Sequence, residues 1–202
     1  LNLLSGMCSF ELKEYKKAQL YIEKISRSFL PVEDNINYLL AETYFYQQEY
    51  TKAIEKYKYL TTSFEKSRFI PWAVYRLVEC NIEMGNDTAA LNQIQIIERS
   101  IFNPLYKQIN PYAIVMLKAQ IYRKQNKLKK EAKLLSNLRL EPEAEELHSE
   151  ANIRLRQLKN KGIIYQPKYG NELLDYIRRM QKIWLHREVD DLIDKIRSEI
   201  TE

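Results

Sequence analysis

From Leu40 to Leu60 the chain reads LAETYFYQQEYTKAIEKYKYL, with apolar side chains returning every three or four residues and charged ones between them. That period is the helical one, and no glycine or proline interrupts the stretch. Similar segments fill most of the chain. They are separated by short polar turns: LKEYKK, QQEYTK, MGNDTA and KQNKLKK. In the third of these, Gly85-Asn86 reads as a helix stop, because both residues tolerate the left-handed conformation. Pro31, Pro71, Pro104 and Pro111 fall at joints between pairs of segments, where they break no helix interior. Only 4 glycines and 6 prolines in 202 residues leave little material for the turns of an all-β fold. The expected class is all-α, with at least ten helices and no sheet.

The segments also repeat. With Ala41 set beside Gly6, Tyr15 meets Tyr50, Ala18 meets Ala53 and Ile22 meets Tyr57, at an offset of 35 residues. A further shift of 37 brings Ala53 onto Ala90 and Tyr57 onto Ile94, and a fourth copy follows at about 41 with Ala119, Tyr122 and Leu128. Two antiparallel helices approach closely only where their facing residues are small. Gly6 and Ala41 are therefore expected opposite Ala18 and Ala53, with Tyr44, Tyr50 and Tyr57 filling the volume between pairs.

This small–large–small register resembles that of the tetratricopeptide repeat family over roughly residues 1–138. Gly6, Tyr15 and Ala18 carry the resemblance in the first copy, and Ala41, Tyr44, Tyr50 and Ala53 in the second. Val78, Asn81, Asp87 and Lys118 depart from it. The resemblance implies a right-handed superhelix whose concave face takes a protein or peptide. Carried over position by position, that face comprises Phe10, Tyr38, Glu42, Phe45, Tyr46, Trp72, Tyr75, Glu79, Arg123 and Lys124. The clamp of lysines and asparagines that some members use for a chaperone C-terminus has no counterpart here.

Beyond residue 140 the pattern changes. The expected organisation is four repeats over 1–140, a further helix over 141–162, a linker over 163–170 and a helical hairpin over 171–202. The helix over 141–162 begins with glutamates and ends with Arg154, Arg156, Lys159 and Lys161, a gradient that complements its dipole. The chain opens partway through a repeat, so a piece of a longer protein is expected.

Charge changes the picture locally rather than globally. Formal net charge is +5, yet Lys118–Arg139 alone holds eight basic residues against Glu131. A general nucleic-acid binder would be basic over a wider surface, so nucleic acid is not the expected partner. The five glutamates from Glu141 to Glu150 are expected to face and neutralise this basic stretch. No apolar run approaches the roughly 18 to 20 residues of a membrane span.

Candidate chemistry is sparse. The four glycines are isolated and form no phosphate loop. His148 and His186 lack a second ligand at metal spacing, and Cys8 and Cys80 stand in no metal or redox motif and read as small buried hydrophobes. No cofactor, metal or catalytic residue is expected. The leading functional expectation is thus a non-enzymatic protein-interaction scaffold. Its alternatives are the non-catalytic superhelical arm of a bacterial cell-wall lytic transglycosylase and, behind it, an RNA-binding helical repeat. An envelope or periplasmic location is favoured slightly over the cytoplasm.

Overall fold

The computed structural model describes residues 1–25, 33–100 and 103–165. The expected hairpin over 171–202 and most of the expected linker lie outside the described residues. Within them the fold is all-α: nine α-helices, two short 3-10 turns and no strand. The chain divides into two compact units, Leu1–Glu98 and Arg99–Glu202.

The first unit holds α1 (Asn2–Glu11), α2 (Tyr15–Glu23), α3 (Glu33–Tyr46), α4 (Tyr50–Ser63), α5 (Ile70–Glu83) and most of α6 (Asp87–Arg99). From α1 to α5 each helix packs on the next along the chain. Small residues stand at the crossings: Gly6, Ala18, Ala41 and Ala53 are all buried. A Cβ on Gly6 would lie only 2.8 Å from Ile22 Cγ1, so α1 and α2 meet there at glycine distance. Large side chains fill the layers between, with Ile22, Leu40, Tyr57 and Leu60 at most 1 % exposed. Tyr44 is also buried, and Tyr50 half-buried.

The second unit holds α7 (Pro111–Lys124), α8 (Leu128–Leu138) and α9 (Glu145–Asn160). The start of α7 is written locally. Asn110 Oδ1 accepts the Tyr112 amide at 2.9 Å, and Pro111 supplies the first helical φ. α8 packs on both α7 and α9, and Ala119, Ala132, Leu135, Leu138, Ala151 and Leu158 form the core.

Five helix ends share one geometry. Lys13, Gln48, Gly85, Asn126 and Gly162 all have φ between 55° and 75°. After α1, Lys13 N–H donates to Phe10 O and Glu14 N–H to Ser9 O; the same pair of bonds recurs at Gln48, Gly85, Asn126 and Gly162. This is the Schellman closure, in which two otherwise orphaned carbonyls are satisfied by the turn. The first four of these residues are 35, 37 and 41 positions apart.

One sequence expectation is corrected at this level. Cys8 is exposed rather than buried, because its position on α1 faces away from α2, whereas Cys80 is fully buried and burial pushes its thiol up to about 12. In the second unit Arg154 of α9 reaches back to Glu131 of α8, the one acid within the basic stretch.

Candidate functional site

The densest polar constellation of the first unit is built by α3 and α5 around Arg76. Its Nε donates to Glu42 Oε1 at 3.0 Å and its Nη2 to Glu42 Oε2 at 3.0 Å, the two-pronged geometry of a guanidinium on a carboxylate. Nη1 reaches Glu79 at 2.8 Å, and Nη2 also reaches the Tyr46 hydroxyl at 3.1 Å. The guanidinium lies 4.4 Å from the Phe45 ring centroid and 5.4 Å from that of Tyr46, so it is stacked as well as paired. Glu42 receives a further bond from the Tyr57 hydroxyl.

Burial sets the electrostatics here. It works against the charge of Arg76, but Glu42 and then Glu79 outweigh it and hold the guanidinium protonated. On Glu79 burial outweighs the help from Arg76, and its carboxyl is raised above the usual range. Burial, and then the Glu42 charge, push the Tyr38 and Tyr57 phenols far upward.

Aromatic rings extend this cluster toward α1 and α2. Tyr46 stacks on Tyr15 at 5.1 Å with planes 8° apart, and Phe10 meets both rings edge-on at 5.5 and 5.6 Å. Tyr38 turns the other way and stacks on Phe69 at 4.7 Å. Of the ten sequence-derived site residues, Glu42, Phe45, Tyr46 and Glu79 are thus brought together by Arg76, with Phe10 joined through Tyr46 and Tyr38 through Glu42. Trp72 stands 37 % exposed in the first turn of α5, and Tyr75 is half-buried beside the Glu79 charge.

Glu42 was expected to face a ligand but is only 6 % exposed, since its carboxylate is consumed by Arg76 and Tyr57. Arg76 itself is the residue that sequence reasoning missed. The signal was its place on the stripe Trp72–Arg76–Glu79, one turn from each neighbour. The cluster fastens α3 to α5.

Arg123 and Lys124 belong to the second unit. Lys124 is exposed at the end of α7, while Arg123 turns onto Glu131 with Nε 2.8 Å from Oε1. Arg154 binds the same carboxylate at 2.7 Å through Nε and 3.0 Å through Nη2. Glu131 is fully buried, and burial alone would raise its pKa. The hydrogen bonds from Arg154 and Arg123 prevail and lower it.

Among the described residues, no group of three or more His, Cys, Asp or Glu could hold a metal ion, and no helix is long and apolar enough to cross a membrane.

A family model described as delta endotoxin, N-terminal domain, matches residues 73–176, just over half of the chain. No curated protein and no solved structure matches it. The match corrects the resemblance to tetratricopeptide repeats and to a lytic transglycosylase arm. It equally overturns the expectation of a protein-interaction scaffold, with its transglycosylase and RNA-binding alternatives. The small–large–small register reports close contact between antiparallel helices, a requirement of helix packing in general, and so it located the crossings without identifying the family. The chain belongs to the delta-endotoxin N-terminal domain family.

Proposed function

We propose that the chain is a membrane-acting helical domain of the delta-endotoxin kind, one that permeabilises a lipid bilayer and performs no catalysis. The observation that carries this reading is the family match over residues 73–176, which runs from α5 through α9. The secondary structure supports it, because helices satisfy their own backbone hydrogen bonds and are among the few elements that lipid tolerates. The longest described helix, α9, has 16 residues and rises about 24 Å, against a hydrocarbon core of about 30 Å. In this reading the described helices therefore act as amphipathic elements. They turn their now-buried apolar faces toward acyl chains and keep their polar faces toward water, which requires the packed helices to separate.

Dye release from sealed lipid vesicles tests the proposal. Added protein is expected to release a self-quenched dye and to sediment with the vesicles. Absence of both across neutral and anionic lipid compositions would overturn it.

A further inference from the structure

We infer that the outward face of α8 is a docking surface for an anionic lipid bilayer, with Lys129, Lys130 and Lys133 as its contact residues. The inference rests on the membrane reading above and adds to it the face and the lipid chemistry.

The argument starts from the arrangement of charge on one helix. At 100° per residue, positions 129, 133 and 130 fall within a single arc of about 100°. All three lysines are exposed, while Ala132, Leu135 and Leu138 on the other side are at most 2 % exposed. The only acid between Lys118 and Arg139 is Glu131, and it does not offset this face. It is fully buried, turned inward and neutralised by Arg123 and Arg154. The fold has separated the charges of one segment, with the carboxylate inside and the ammonium groups outside. Lys124 and Lys127 continue the exposed positive surface through the preceding turn.

Such a face complements a surface of many loosely fixed negative charges. Each lysine near an anionic leaflet contributes about fivefold in partitioning, so three contribute roughly a hundredfold. Single-stranded nucleic acid is the competing polyanion, but its binding sites pair a basic track with exposed aromatic platforms. In this unit the exposed large apolar residues are Ile153 and Ile164, neither of them aromatic, among the described residues. The rings nearest the lysines, Tyr122 and Tyr165, are half-buried, with the Lys130 and Lys133 ammonium groups 5.7 and 5.8 Å from their centroids. Bases have no open platform beside this face.

The experiment is co-sedimentation of the full chain with phosphatidylcholine vesicles and with phosphatidylserine-containing vesicles. It compares the parent, the Lys129→Gln/Lys130→Gln/Lys133→Gln variant and the corresponding Lys→Arg variant, each with a thermal melt. The parent is expected to prefer the anionic vesicles, the Gln variant to lose roughly a hundredfold of that preference, and the Arg variant to keep it. High salt should erase the difference. Equal binding by parent and Gln variant overturns the docking face while leaving the membrane reading intact, as does equal loss in the Gln and Arg variants. Equal binding of the parent to both lipids likewise removes charge as the docking principle. No binding to either lipid overturns both readings. Titration with single-stranded RNA completes the test: a Gln variant that loses RNA but not vesicles would move the face to nucleic acid and overturn the inference.

Discussion

Three of the five left-handed turn residues, Lys13, Gln48 and Asn126, are not glycine, and they hold φ between 55° and 62°. A side chain in that region costs about 1–2 kcal/mol. Glycine removes the cost but returns about 0.4–1 kcal/mol to the unfolded chain. Asparagine tolerates the region and lysine and glutamine do not, so Gln48→Gly is expected to stabilise the first unit by about 0.5–1 kcal/mol. Denaturant unfolding of the variant checks this, and a fall in stability would contradict it. Legibility at this scale followed what each residue advertises. Gly85 read as a helix stop because glycine signals a positive φ, whereas nothing in Lys13 or Gln48 does. Tyr57 was legible as a filler of the core, but the bond from its hydroxyl to Glu42 was not. A tyrosine's apolar volume shows in the periodicity, while the partner of its hydroxyl is chosen by packing.

At the scale of helices, faces were easier to read than partners. The buried stripes of α4 and α8 follow directly from the 3.6-residue period, whereas α3 is buried all round from Leu40 to Tyr44. The groups that lock helices together come from positions 34 residues apart for Arg76 and Glu42, and 23 apart for Arg154 and Glu131. No local pattern encodes such pairs. The second of them has a measurable consequence, because Glu131 is fully buried and both of its cationic partners come from other helices, α7 and α9. Arg154→Ala leaves that carboxylate with one partner where it has two, and breaking a buried pair costs about 3–5 kcal/mol. The second unit is expected to lose about 3 kcal/mol, the lower end, since Arg123 stays in place. Circular dichroism melts of the parent and Arg154→Ala proteins measure the difference, and a matching pair of melts would mean that the α8–α9 contact does not depend on the pair.

For the whole molecule, the helical class was legible because long uninterrupted helical periods leave no other fold. The family was not legible. The residues that stood out, Gly6, Ala18, Ala41 and Ala53, describe how helices touch and are silent about what they do when they part. Parting is the event that the proposed activity requires, and Glu131 gives it a pH dependence whose sign can be worked out. Its folded pKa is lowered by Arg154 and Arg123, so the stability it contributes is present above the unfolded value of about 4.3 and is lost as pH falls through the lowered folded value. Glu141 works in the opposite sense. Burial and the Glu143 charge raise its pKa, so it weakens the fold at neutral pH and is relieved by protonation. Of these two carboxylates Glu131 prevails in the second unit, because it joins α7, α8 and α9 through Arg123 and Arg154. Dye release from anionic vesicles is therefore expected to rise as pH drops below about 4.3, where α7, α8 and α9 lose their shared ion pair. A Glu131→Gln protein, which lacks the pair at every pH, should release dye at neutral pH and respond little to acid. Release by the parent that is flat with pH, or an acid response in Glu131→Gln equal to that of the parent, would show that opening is controlled elsewhere.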